Sequence, residues 1–450
     1  MGDESLSIQI RLVIFVGLLA VAGGNSPVYA ARVVRGDDPV PDGGARTLYL
    51  LPILDGQPSP ERALDVVERL GRGGPYLKVG FSGVFRYMAE VDPATDDTIV
   101  TRRLEQIVAA ARAASVPFLV HLNGGRWSGG GPLVERLMSN PDLMAWDQLD
   151  RPWSYRKDGE YFFSLGAYNE TWRFYKRRNL QAAAAWLADF LRGPDGSRLI
   201  GVSTDSEVLI NTHQWSDYNP LVLQEYVHWL SGDAIYGPRG RWDGQGLGLS
   251  LRAVNERYGT PFSRWKDVQP PRERRDDAYW SDWVRFRNLL VDHNVQEQVD
   301  WIREAGIPQE RIFTHQSPAL NVEVFGDSLE AAQVDGGNPG ITAYAEQAGD
   351  AGLFQQVRAL GARWGIFEYN PLTDDEARSL SDLEAARAAG ASVVCPYHWD
   401  DLGGPNEVGF TIRGSAFERA LRAFVRHNWH RPLDTVAGGG TSSPSGRGWG

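Results

Sequence analysis

Cysteine is almost missing from these 450 residues; Cys395 stands alone. One thiol cannot close an internal disulfide or build a cysteine-based zinc site. Its setting, ASVVCPY, is apolar and suits a buried position. Positive charge is in deficit, with 46 Lys and Arg against 57 Asp and Glu and a net charge of −11. An acidic surface repels phosphates, which argues against nucleic acid as a partner. No glycine-rich loop follows a strand-like run, since GRGG at 71–74 precedes its strand; the usual dinucleotide cradle is therefore absent. Long apolar runs are also scarce. The one from Leu12 to about Ala22 is shorter than the ~20 residues of a membrane span. Arg11 before it and Val28-Tyr29-Ala30 after it fit a signal peptide over 1–30, cleaved to leave an extension over 31–44, with an uncleaved anchor the lesser alternative. The body is thus expected to be secreted or periplasmic, with no membrane contact beyond that segment. Removing 1–30 takes Asp3, Glu4 and Arg11, leaving a charge of −10.

What the chain has in quantity is buried-strand character. Apolar runs recur at 46–54, 76–84, 116–124, 199–208, 311–319, 340–345, 364–370 and 391–399. Most are continuous instead of alternating, as in strands covered on both faces. Amphipathic stretches separate them, including PERALDVVERLGR, NLQAAAAWLADFLR and DLEAARAAG. Pro60 and Ser381 suit helix starts, and Gly361 and Gly390 suit helix ends. Eight strand–helix units over 45–431 predict an α/β fold, a single (β/α)8 TIM barrel closed by the helix GSAFERALRAFVRHNW. An open doubly wound sheet is the lesser alternative. Long loops follow strands 3 and 4, at 125–172 and 209–303, and are expected to wall a cleft. The Gly/Ser-rich tail, 432–450, is expected to be disordered.

Polar residues at the C-terminal ends of barrel strands face substrate. Here they are His121 and Asn123, Asp205 and Glu207, His315 with Gln316, Tyr344, Glu368, and His398, Trp399 and Asp400. Glu207 and Glu368 lie on strands three apart in an eight-strand ring, so they face one another across its mouth. Paired carboxyls suit glycoside hydrolysis: one protonates the leaving oxygen, and one about 5–5.5 Å away attacks the anomeric carbon, with retention. Their pKa values must then differ. Tyr344 beside Glu368 is placed to hydrogen-bond it and keep it anionic. Trp127 and Trp399, among sixteen tryptophans, are candidate stacking platforms for pyranose rings. Each residue also has a bland reading, a strand-end ion pair for the glutamates and a satisfied buried ring for the histidines. A metal set from His121, His315, His398 and Asp205 is the weaker alternative, so no metal and no cofactor are expected. Asn169-Glu170-Thr171 is a formal glycosylation sequon.

Between the two glutamates the chain reads LQEYVHWLSG, then VNERYGTPFSRWKDVQPP, then YWSDWVRFRN. The order of Tyr258-Gly259-Thr260, Phe262, Trp265, Pro270 and the Asp282-Trp283-x-Arg285-Phe286 helix resembles the catalytic barrel of glycoside hydrolase family 42 β-galactosidases, in clan A. That resemblance implies Glu207 as acid/base and Glu368 as nucleophile, acting on an oligo- or polysaccharide. It departs from the family at Ser206, where clan A enzymes usually carry the Asn that binds the sugar 2-hydroxyl. No counterparts of the family's trimer-forming and small β domains, and no zinc-binding cysteines, are expected. Rival functions are a non-catalytic carbohydrate-binding barrel and a metal-dependent hydrolase on the same fold.

Overall fold

Pro52 lacks an N–H for a ladder, and the first strand run divides around it into β1 (Leu48–Leu50) and β2 (Ile53–Leu54). The second run divides at Gly80 into β3 (Leu77–Val79) and β4 (Phe81–Phe85), with α1 (Pro60–Leu70) between the two runs. A Cβ at Gly80 would stand 1.9 Å from the Pro117 carbonyl oxygen, so only glycine permits that approach. These elements belong to a computed structural model that describes residues 47–56, 58–92, 98–125, 130–152, 154–157, 160–163, 169–208, 217–232, 246–318, 329–361, 363–400 and 411–433. The proposed signal peptide, the N-terminal extension, Trp127 and the tail from 434 lie outside the described residues.

Downstream come α2 (Arg102–Ala114), β5 (Phe118–Leu122) and α3 (Pro132–Met138). A hairpin of β6 (Ser154–Lys157) and β7 (Glu160–Phe163), unforeseen in the sequence, precedes α4 (Glu170–Arg192) and β8 (Leu199–Ser203). The helices α5 (Pro220–Ser231), α6 (Leu251–Tyr258) and α7 (Ala278–Glu304) follow. Then come β9 (Ile312–Phe313), β10 (Gly340–Tyr344), α8 (Ala351–Leu360) and β11 (Gly365–Asn370). The chain closes with α9 (Glu376–Ala388), β12 (Val393–Pro396) and α10 (Ala416–Asn428).

The fold is α/β with parallel sheets. One sheet runs β10-β11-β12-β1-β3 and the other β2-β4-β5-β8-β9. At one junction the ladder continues past both breaks, through Gly80 N to Leu50 O (3.1 Å) and Ser82 N to Pro52 O (3.0 Å). At the other, Gln316 N donates to Gly340 O (2.9 Å) and Thr342 N to Gln316 O (2.7 Å).

Packing follows the apolar stripes. In α1, Ala63, Val66, Val67 and Leu70 are buried at i, i+3, i+4 and i+7, each of the larger ones contributing about 1.5–3 kcal/mol. They join one core cluster with Leu48, Ile107, Trp364 and Phe417. A second cluster on the other face of the strands holds Leu51, Leu119, Phe313, Phe367 and Cys395, so the lone thiol is buried as expected. A third, aromatic cluster binds α5, α6 and α7 through Tyr226, Trp229, Tyr258, Trp283 and Phe286.

One local reading is corrected. Ser381 lies inside α9, which starts at Glu376 because the Asp375 carboxylate accepts the free N–H groups of Ala377 and Arg378. Asn169 of the sequon is buried and caps α4, accepting from Thr171 N and Trp172 N; its side chain is committed to the helix start.

Candidate active site

Glu368 owes its position to an irregularity in β11. Strict alternation sends neighbouring side chains to opposite faces. Here the register against β12 shifts between Ile366 and Tyr369. Ile366 and Tyr369 both pack in the cluster shared with the helices, while Phe367 packs on the opposite face. Glu368 follows Phe367 to that opposite face, because the bulge removes one step of alternation and re-aims a side chain. There it accepts hydrogen bonds from the Ser206 hydroxyl at Oε1 (2.9 Å) and from the Tyr344 hydroxyl at Oε2. Its side chain keeps 19 % exposure.

Glu207 arrives from β8. Thr204 N donates to Phe313 O (2.9 Å) and Glu207 N to His315 O (2.8 Å), which ties the turn to the next strand. Glu207 itself takes a positive φ of 50°, uncommon for a residue with a Cβ and a frequent mark of functional sites. Burial, then the charge of Glu207, push Glu368 up to about 8; the hydrogen bonds from Tyr344 and Ser206 oppose this, and Asp55 adds to it. Burial and the charges of Glu368, Tyr397 and Glu207 likewise hold the Tyr344 phenol well above its usual range, so it stays a donor.

His315 lies behind the pair. Its Nε2 is 3.2 Å from Thr342 Oγ1, 3.5 Å from Ser206 Oγ and 3.7 Å from Glu368 Oε1. Burial holds its pKa far down, helped by His121, whose own value falls to about 3 by burial. Both rings are neutral. His121 Nδ1 meets Ser203 Oγ at 3.0 Å, while His121 Nε2, His315 Nδ1, Asn123 Oδ1 and both polar atoms of Gln316 have no hydrogen-bond partner among the described residues.

Other candidates serve elsewhere. Asp205 does not line the site. Its carboxylate accepts from Tyr87 Oη (2.9 Å) and Gly124 N (2.8 Å) and pairs with Lys176 Nζ at 2.6 Å, with 1 % of the side chain exposed. It is a support, not the substrate contact expected. Trp399 is likewise corrected: fully buried, it packs in the core and donates Nε1 to Asp65 on α1 (2.9 Å), so no face is free for a sugar. His398 is buried, with Nδ1 against the Asp400 carbonyl, after a cis peptide from Tyr397. Trp127 lies outside the described residues. Among those residues no group of three His, Cys, Asp or Glu is placed to hold a metal ion; the histidine–Asp205 set is not assembled.

Asp55, Thr342 and the supports Tyr87 and Lys176 went unnoticed as site residues in the sequence. Asp55 ends the first strand run, a position rule that would have found it. Lys176 lies within a helix, with no local signal.

No protein-family model and no curated protein matches the chain. Solved structures do. A β-galactosidase from the psychrophilic Marinomonas ef1 aligns with a TM-score of 0.58 at 14 % identity, over 84 % of this chain and 59 % of that one. The catalytic domain of a β-amylase from Paenibacillus polymyxa aligns with 0.58 at 12 %, over 84 % and 99 %. A GH42 exo-carrageenase from Bacteroides ovatus aligns with 0.58 at 12 %, over 85 % and 52 %. The chain spans less than two thirds of the β-galactosidases it matches. At such identity the likeness is one of fold, and it is to the barrel that the sequence resembles.

Proposed function

We propose that the two sheets form one closed (β/α)8 barrel and that the chain is an exported, retaining β-glycoside hydrolase. Glu207 is its acid/base and Glu368 its nucleophile. The observation that carries this reading is Glu368 held by two hydroxyl donors, with the charge of Glu207 reaching both it and Tyr344. The value near 8 belongs to the pair, which keeps one proton at neutral pH. We place that proton on Glu207, because the two hydroxyls aimed at Glu368 satisfy carboxylate oxygens. Glu207 then protonates the leaving oxygen while Glu368 attacks the anomeric carbon; a water, deprotonated by Glu207, later releases the sugar. His121, Asn123 and His315 are proposed to surround the sugar.

The β-galactosidases among the neighbours suggest galactose-configured substrates. A panel of chromogenic β-glycosides tests the activity, and NMR of the first-formed anomer tests retention. Glu368→Ala should lose several orders of magnitude in turnover, since no covalent intermediate forms, and azide should restore product of inverted configuration. Near-normal turnover of Glu368→Ala ends the assignment. Absence of turnover across the panel favours a carbohydrate-binding barrel.

A further inference from the structure

The connections that follow β5 and β8 build a cavity of about 880 Å³, within the 300–1,000 Å³ usual for small-ligand pockets. Both connections leave the strand ends that carry Asn123 and Glu207. They are fastened together: Tyr218 N donates to Trp146 O (2.9 Å), and Asn219 Nδ2 to the carbonyls of Asp142 (3.0 Å) and Met144 (2.8 Å).

Two indoles, Trp146 and Trp265, line this cavity and stay half-buried, with Leu223 and Val227 adding apolar surface. Trp146 is fixed by its Nε1 bond to Pro141 O (3.0 Å) and its backbone bond to Asp217 (2.8 Å). Planar polar groups share the same walls. Arg272 lies 4.6 Å over the Tyr218 ring and pairs with Asp150 at 2.6 Å. The side-chain amides of Gln224 and Gln269 make no hydrogen bond among the described residues. An aliphatic ligand would leave those amides unmatched, and a small anion would leave the indoles unused. A pyranose ring satisfies both, with one C–H face on an indole and hydroxyls toward the amides.

We infer that this cleft binds a stretch of glycan apart from the carboxylate pair; the inference rests on the glycosidase reading for its ligand class. The test is affinity electrophoresis of the full chain carrying Glu368→Gln through gels containing soluble galactan, xylan, mannan or β-glucan. At least one should retard it. Adding Trp265→Ala should raise the dissociation constant about tenfold or more, as for truncated aromatic anchors. Gln269→Ala should raise it measurably, with its thermal unfolding unchanged. Retardation by none of the four overturns the inference. So does retardation that survives both substitutions but disappears in a Glu207→Ala, Glu368→Ala chain, because the sugar then sits only at the carboxylates. Loss only in Trp265→Ala, with lowered thermal unfolding, overturns it too. A wild-type chain that cleaves no glycoside but shows Trp265-dependent retardation sinks the glycosidase reading and leaves this one standing.

Discussion

Replacing Lys176 with Met removes the only cation bonded to Asp205 among the described residues, in a pair 2.6 Å apart with side-chain exposures of 4 % and 1 %. Tyr87 Oη and Gly124 N still donate to the stranded carboxylate, but neither carries charge. Removing one member of such a pair costs about 3–5 kcal/mol, a large part of the 5–15 kcal/mol that stabilises an ordinary domain. Methionine keeps most of the aliphatic stem, so little of that loss is packing. The double variant Lys176→Met, Asp205→Asn keeps neither charge of the pair and should lose less than the two single losses added, by ~1 kcal/mol or more. Urea unfolding gives these numbers directly, provided the slope m is common to all four chains. A Lys176→Met loss under about 1 kcal/mol would refute the reasoning, as would strict additivity, since either means the pair is hydrated or loosely held. The result bears on chemistry as well. Asp205 also receives its backbone support from Gln298 Oε1 (2.9 Å), and Glu207, two residues on, holds a positive φ.

Four further outcomes are expected. Glu368 is raised from 4.5 to about 8, so between those values the folded chain holds a proton that the unfolded chain has lost. Stability therefore falls as pH rises through that window, and Glu368→Gln, measured by urea unfolding, should gain on wild type from pH 5 to pH 8; an equal difference at both ends refutes the shift. The profile of kcat/KM should decline above about pH 8 as the pair loses its last proton. Tyr344→Phe removes a donor that lowers Glu368, so this basic limb should move upward, with kcat down roughly 10- to 100-fold for one lost bond to a charged group; an unmoved limb separates Tyr344 from the carboxylate. Trp399→Ala should destabilise by about 3–5 kcal/mol through cavity formation, in thermal unfolding with sugar absent; a full-stability variant with weakened sugar binding would restore it as a platform.

Much of the strand order was legible because buried parallel strands read as unbroken apolar runs, and because Pro60, Gly361 and Gly390 mark helix ends by their own backbone chemistry. Glu368 stood out for the same reason, a carboxylate closing WGIF. What alternation could not supply is its face, since a bulge between Ile366 and Tyr369 depends on the neighbouring strand's register. Trp399 and Asp205 misled because a position rule names the strand end but not the side-chain direction. Trp399 turns back to Asp65, 334 residues earlier, and Asp205 to Lys176 in α4. Such long-range partners leave no local pattern.

The fastening of Asn219 and Tyr218 to the backbone of residues 142–146 makes the two connections one inheritance. Grafting either of them alone from another barrel would strand an amide and a backbone N–H away from their carbonyls. Natural or designed recombination at this rim is therefore expected to succeed only when both segments travel together.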